Sequence, residues 1–343
     1  QLDLTAAQAV SVVKAAIRAE ASRSPGSRKA RGCVNAESRN PVTIRGLTKQ
    51  FRTGWREAKE VLTSVDLDVP RGAIVGLLGV NGSGKTTLLK MLVGLLRADA
   101  GEVRVFGDDP WTMRAATKRR IGYVPQEVRV APWMSVAEVV RYTAAFYGTQ
   151  WNRSWAEELL DRFHLERGDR AGTLSGGQTQ KLGLVLALGH RPDLLLLDEP
   201  VASLDPLARR ELLATLVQLA EETADSEHSQ TVLFSTHITA DLERVATHVA
   251  LLKNGRVTLF DEIDSLKEMV QRVRVTSATS LPDQLPEGGL LHLARDSRTL
   301  SATLSDGGAA RWQAWAEAAG AECAIELLNL EELFIELHES GGA

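Results

Sequence analysis

Cysteine is nearly absent from this chain: Cys33 and Cys323 are the only two in 343 residues, and they stand far apart. That excludes a disulfide framework and a thiolate metal site, and it suits a reducing compartment. No apolar run approaches the ~20 residues that a membrane helix needs. The first residues alternate Ala, Val, Lys and Gln without a continuous apolar block, so no secretory leader is expected. The chain on its own is therefore expected to be soluble and cytoplasmic, with any membrane role supplied by a partner chain. Charge of one sign is lacking too: 40 Lys and Arg against 44 Asp and Glu leave a net charge of −4. No nucleic-acid partner is expected from that balance.

What is present is a phosphate-binding loop. Gly79-Val80-Asn81-Gly82-Ser83-Gly84-Lys85-Thr86-Thr87 matches G-x-x-x-x-G-K-[ST]. Glycines let the backbone curl so that successive N–H groups converge on a phosphate. Lys85 adds a point charge for the β/γ-phosphates, and the Thr86 hydroxyl can ligate Mg²⁺. The loop follows an apolar run over residues 73–78, suited to a buried parallel strand. It precedes a helical pattern from Thr87 onward, whose N-terminus favours an anion. A nucleoside triphosphate is the expected ligand.

The length suggests about two domains, and the pattern divides the chain in three. Residues 1–40 read as a helix over 4–21, N-capped by Thr5 with Val10, Val13 and Ile17 on one stripe, and then a flexible basic linker. Over 41–268, apolar strands at 42–44, 64–69, 74–78, 122–124, 194–197, 231–235 and 248–253 alternate with helical patterns. That alternation predicts an α/β core with a parallel sheet. Residues 132–190 read as an inserted helical subdomain. Residues 269–343 read as a small α+β domain after a charged helix at 263–270. Its expected strands are 272–276, 290–294, 300–304 and 324–328, and its expected helices 309–319 and 330–337.

Five further segments accompany the loop. Tyr123-Val124-Pro125-Gln126 puts a glutamine at a strand end. Leu174-Ser175-Gly176-Gly177-Gln178 precedes a helix at 179–188. Leu194-Leu195-Leu196-Leu197-Asp198-Glu199-Pro200 is an apolar strand ending in two carboxylates. Ser203-Leu204-Asp205-Pro206 follows, and Phe234-Ser235-Thr236-His237 ends the next strand with a histidine. In this order and spacing the sequence resembles the nucleotide-binding subunit of an ATP-binding cassette (ABC) transporter, from about residue 41 to 268. The resemblance implies a P-loop NTPase cassette: a RecA-like core with an antiparallel β region and an inserted helical subdomain. It also implies an ATP hydrolase with ATP and Mg²⁺ as ligands.

Beside the resemblance, residue chemistry suggests roles. Asp198, at the carboxyl end of a buried strand, is placed to hold Mg²⁺ directly or through water. Glu199, one residue on, can accept a proton from the attacking water; both carboxylates as metal ligands, or one as an ion-pair partner, is the alternative. The resemblance makes His237 the γ-phosphate switch histidine, against a plain strand-end histidine. It makes Gln126 a contact to Mg²⁺ and water that senses the membrane partner. Ser175, Gly176, Gly177 and Gln178 offer N–H groups at a helix start, a second anion site. In the family they cap the γ-phosphate bound by the other subunit of a head-to-tail dimer, with Asp205 at the interface. Lys181 stands where the family often has Arg, which keeps charge but loses bidentate geometry. Phe51 occupies the adenine-stacking position, or is simply a strand-end core aromatic.

Arg119-Arg120-Ile121-Gly122-Tyr123-Val124-Pro125-Gln126, Lys181 to Leu188, and the ending Leu327 to Phe334 look like the ABC-2, exporter-like branch. So does the stretch from Thr143 through Trp151 and Trp155. The implied partners are a second cassette subunit, a homodimer being sufficient, and an integral membrane permease on a separate chain. That puts the protein at the cytoplasmic face of the cell membrane. Of the aromatics Trp133, Phe146, Tyr147, Trp151 and Trp155 in the helical subdomain, most are expected to pack in its core, and Trp133 is the expected contact for a permease helix. The competing readings are a soluble cassette ATPase and an ATP-sensing regulatory module. One set of motifs and a short, non-heptad gap between loop and signature weigh against the ribosomal and chromosomal branches.

Overall fold

Strands buried on both faces should be apolar at nearly every position, and three segments of this chain are. In the computed structural model, β3 (Ile74–Leu78), β6 (Leu194–Leu197) and β7 (Thr231–Thr236) are buried along their whole length. The structure describes residues 40–52, 58–202, 204–223, 229–278, 281–286, 289–305 and 308–339. The helix expected over 4–21, the linker up to residue 39, and Ser203 lie outside the described residues.

In chain order the first elements are β1 (Val42–Arg52), β2 (Ala58–Val69), β3, α1 (Lys85–Leu92), β4 (Ala100–Val105), α2 (Ala115–Lys118) and β5 (Ile121–Val124). Then come α3 (Val136–Tyr147), α4 (Arg153–Arg162), α5 (Gly176–Leu188), β6, α6 (Pro206–Thr223), β7, α7 (Thr239–Val245), β8 (His248–Lys253) and β9 (Arg256–Glu262). β2, β1 and β4 form an antiparallel sheet in that order. The larger sheet runs β5-β6-β7-β3-β8-β9, with the first five strands parallel. Helix α1 lies between the two sheets: Leu88, Leu89 and Leu92 share one apolar core with Ile44, Leu47 and Leu62 on one side and Leu196, Leu233 and Ala250 on the other.

This topology fixes the site. Parallel register sets Leu78 beside Thr236, Leu197 beside Phe234, and Val124 beside Leu197. Residues just past the carboxyl ends of β3, β5, β6 and β7 therefore converge on one edge, where open α/β sheets bind ligands.

α3, α4 and α5 fill the stretch expected to be helical. Their starts are specified locally. Ser135 and Glu138 form a capping box, Asn152 caps α4, and Ser175 and Gln178 form a second box.

The described residues part into two compact units between Phe260 and Asp261. The expected boundary at 268 falls within α8 (Ile263–Met269), which groups with the C-terminal unit. That unit continues with β10 (Gln271–Thr276), β11 (Leu290–Arg295), β12 (Thr299–Leu304), α9 (Ala309–Ala318), β13 (Glu322–Leu327) and α10 (Leu330–Glu339). Its antiparallel sheet, ordered β11-β12-β10-β13, buries Val273, Val275, Leu300, Ala302 and Leu304 in one core with Ala309, Trp312 and Ala316 of α9.

Several elements extend or add to the sequence reading. β1 and β2 are much longer than 42–44 and 64–69, because bulges between Ile44, Leu47, Lys49 and Gln50 break the two-residue alternation that marks a strand. β4, β9 and the long α6 had no strong periodic signal. β9 is set beside β8 by Asn254-Gly255, both with positive φ, 49° and 73°, the conformation that suits a two-residue hairpin.

Candidate functional site

The loop after β3 is shaped by close approach. A side chain at Gly79 would meet Leu252 O at 2.5 Å, and Gly84 takes φ 111°, a left-handed value that favours glycine, as the residue before α1. The result is a loop whose last glycine opens directly onto the helix N-terminus. Lys85 is 4% exposed, and its Nζ donates to Gly79 O at 2.7 Å and Val80 O at 3.2 Å. The ammonium is thus folded back along the loop, with Glu199 Oε1 3.4 Å away.

At the ends of β6 and β7 the carboxylates take different surroundings. Asp198 is 1% exposed; its Oδ1 accepts from Thr86 Oγ1 and from Ser235 Oγ, both at 2.9 Å. Asp198 Oδ2 is buried without a partner among the described residues. Glu199 has φ 47°, rare for a residue with a side chain. Its N–H donates to Ser235 Oγ at 2.9 Å, and its carboxylate lies between Lys85 Nζ and His237 Nδ1, the latter 3.5 Å from Oε2. The turn at Glu199 thereby swings its carboxylate away from that of Asp198. Tyr123, beside Leu196 in the β5–β6 register, has a buried hydroxyl. Burial, and then the charge of Asp198, pushes its pKa up to about 12.

A pocket of about 370 Å³ opens at this edge, lined by Lys59, Val61, Asn81, Gly82, Gly84, Lys85, Thr86, Thr87, Gln126 and Glu199. A larger hollow of about 480 Å³, around Met91, Arg97, Arg104 and Trp111, contains none of the motif residues. The convergent polar groups, rather than volume, mark the functional site.

The structure therefore brings together Asn81 to Thr87, Gln126, Asp198, Glu199 and His237, with Gly79 and Val80 holding the lysine. It does not bring in the signature. None of Ser175, Gly176, Gly177 or Gln178 lines the pocket. They start α5, with Ser175 and Gly176 exposed. Not all of their amides are open, contrary to the sequence reading: Gln178 N–H donates to Ser175 Oγ at 3.2 Å, and Ser175 N–H to Gln178 Oε1 at 2.9 Å. The box engages the amides of Ser175 and Gln178 and not those of Gly176 and Gly177. Asp205 caps α6, accepting from Leu207 and Ala208 N–H at 3.0 Å each. These backbone bonds, that to Ala208 first, hold its pKa below the usual carboxylate value. Lys181 pairs with Glu211 at 3.3 Å. Phe51 is 38% exposed under Lys49 and does not line the pocket; its register partner Lys59 does. Trp133 is 70% exposed.

Ser235 is the residue that sequence reasoning passed over. It is the penultimate residue of β7, two before His237, and only the parallel register shows that one hydroxyl serves both Asp198 and the Glu199 amide.

The donor set fits a hard divalent cation. An orphaned, buried carboxylate oxygen is costly without a partner, and a hydroxyl, a carboxylate and an amide oxygen are the ligands Mg²⁺ takes. No group of three His, Cys, Asp or Glu side chains placed to hold a softer metal occurs among the described residues.

A family model described as ABC transporter matches residues 62–202. The uncharacterized ABC transporter ATP-binding protein YxlF of Bacillus subtilis is 35% identical over 234 residues, 67% of this chain and 74% of that protein. The daunorubicin/doxorubicin resistance ATP-binding protein DrrA of Streptomyces peucetius is 32% identical over 286 residues, 80% of this chain and 83% of DrrA. The sulfate/thiosulfate import ATP-binding protein CysA of Xylella fastidiosa is 36% identical over 239 residues, 67% of this chain and 65% of CysA. Relatives thus include an import protein alongside a resistance protein. Among solved structures, the dimeric bacterial ABC transporter cassette MJ0796 superposes with a TM-score of 0.58 at 26% identity, covering 65% of this chain and 98% of that one. The same cassette in a post-hydrolysis state bound to ADP and Pi gives 0.58 at 27% identity, with the same coverage.

Proposed function

Because the chain belongs to the ABC transporter ATP-binding subunits, ATP hydrolases with a P-loop cassette fold, we propose that two copies close head to tail over ATP and drive a membrane permease in the export direction. The observation that carries the dimer is the half-built site: loop, Gln126 and Glu199 line one pocket, Asp198 and His237 bond or pair to residues that line it, and Ser175 to Gln178 lie outside it. Export rests on the motifs shared with the ABC-2 branch and on DrrA, which aligns over more of this chain than YxlF or CysA does. Among the described residues no helix is long and apolar enough to cross a membrane, which agrees with a reading in which the permease is a separate chain and this one sits at the membrane's cytoplasmic face.

In this reading the amides of the loop and of the start of α1 cradle the phosphates, and Lys85 leaves the loop carbonyls for the γ-phosphate. Mg²⁺ would be held by Thr86, by Asp198 with Oδ2 turned to it, and by Gln126. When bound it neutralises charge on the β- and γ-phosphates. Glu199 accepts a proton from the water as its oxygen bonds to the γ-phosphorus and the bond to the β–γ bridging oxygen breaks, giving ADP and phosphate. His237 holds Glu199 and the γ-phosphate in line. Phe51 or a neighbour on β1–β2 stacks on adenine. Gly176 and Gly177 of the second copy supply amides to the γ-phosphate, with Asp205 at the seam and Trp133 toward the permease.

Turnover measured against enzyme concentration tests the dimer. At low concentration the rate rises with the square of enzyme if two copies build each site. A strictly linear dependence with an ATP-bound monomer overturns it.

A further inference from the structure

The turn carrying Asp205 and the turn carrying His237 are joined by an ion pair, half-buried at its guanidinium and buried at its carboxylate, that none of the roles above uses. Arg209, in the first turn of α6, donates its N–H to Asp205 O at 2.9 Å. Its Nε donates to Asp241 Oδ1 at 2.7 Å. Asp241 is 1% exposed and sits in the first turn of α7, one helical turn beyond His237. Asp241 Oδ2 is buried with no partner among the described residues. The guanidinium is therefore the charge that compensates this carboxylate, and separating the two strands a buried charge. A link that is costly to break makes the starts of α6 and α7 move together.

We propose that Arg209 and Asp241 are positioning residues that transmit contact at Asp205 to His237, so that the histidine is correctly set only when a second copy has docked. The proposal rests on the head-to-tail dimer reading. It follows from rigidity: Asp205 caps the helix that holds Arg209, and Asp241 anchors the helix that His237 leads into. A shift at one end is carried to the other through two hydrogen bonds and two helix starts.

The test separates coupling from fold. Replacing a buried ion pair by apolar residues of similar volume is often neutral or stabilising, so the double variant Arg209→Met with Asp241→Leu keeps the packing while removing the directional link. Three readouts are taken. Thermal unfolding and ATP affinity should match the parent. In a Glu199→Gln background, the ATP-stabilised dimer should still form. With Glu199 intact, kcat should fall by as much as about 100-fold at unchanged KM, the scale of a reacting group misplaced by about 1 Å. Added to His237→Ala, the pair should cost little more, because residues acting as one unit are not additive. The charge-reversed pair Arg209→Asp with Asp241→Arg should recover part of kcat.

An unchanged kcat overturns the coupling while leaving the dimer reading intact. Equal losses of ATP affinity, dimer and kcat make the pair a fold element and also overturn it. Failure of the Glu199→Gln parent to dimerise with ATP sinks the dimer reading, and the coupling with it.

Discussion

The phosphate-loop side of the site and the signature segment draw on the same materials, glycines and a hydroxyl at a helix start, and satisfy them in opposite ways. Around the loop the charged side chains are engaged inside the chain, with Asp198 Oδ2 left over for a cation. Lys85 is bonded to loop carbonyls, Thr86 and Ser235 hold Asp198, and Glu199 sits between a lysine and a histidine. The signature begins at the surface, with Ser175 and Gly176 exposed; Ser175 and Gln178 spend their side chains on each other, and the box does not engage the amides of Gly176 and Gly177. A helix start braced by its own capping box and still open at its first amides is a docking half-site. In the proposed dimer, that difference lets one copy supply the chemistry and present, on another surface, the lid for a different copy.

Substitutions can break or sharpen this contrast. The largest effect is expected at Glu199→Gln, which removes the proton acceptor but keeps shape. Turnover should fall by about 10²–10⁴-fold with ATP binding retained, read by steady-state hydrolysis and nucleotide binding on the same sample.

Next is the scaffold under the signature helix. His190, two residues past the end of α5, donates from Nε2 to Ile121 O at 3.2 Å and stacks on Tyr147 with ring centroids 4.0 Å apart. Burial pushes its pKa from 6.5 down to about 4. The unfolded chain therefore takes up this proton first. The stability contributed by the neutral ring is full above about pH 6.5 and is lost as pH falls toward 4. That loss is on the order of 3 kcal/mol. Denaturation at pH 7 and pH 4.5 should show this slope in the parent and a shallower one in His190→Gln. Hydrogen exchange should loosen the helical region before the loop side.

Ser235→Ala should cost about 1–3 kcal/mol, because the Glu199 amide loses its acceptor and Asp198 one of its two donors. Thermal unfolding without nucleotide reads it. Smallest is Ser175→Ala, which opens the capping box and should cost about 1 kcal/mol of stability, with a larger fractional loss in turnover than in ATP affinity.

Much of this was legible in the sequence because it depends on local order: a glycine loop before a helix, an apolar run ending in two carboxylates, and cap residues three positions apart. What was hidden depends on register and backbone turns. Ser235 serves Asp198 only because β6 and β7 run in parallel register, and Glu199 parts from Asp198 through a left-handed turn that no pattern announces. Bulges concealed the length of β1. Phe51 is identified by its position along the chain alone; the β1–β2 pairing sets it beside Lys59, which lines the pocket with Val61.

The most direct test mixes two broken copies. Lys85→Met removes the loop's charge and keeps the signature. Gly176→Asp puts a carboxylate at the signature, where a side chain meets nothing within 4 Å and the fold should hold. Each variant alone should be inactive, and an equal mixture should regain ATP turnover, because one mixed site then pairs an intact loop with an intact signature. A mixture as silent as its components, or full turnover by Gly176→Asp alone, would contradict a site completed by a second copy.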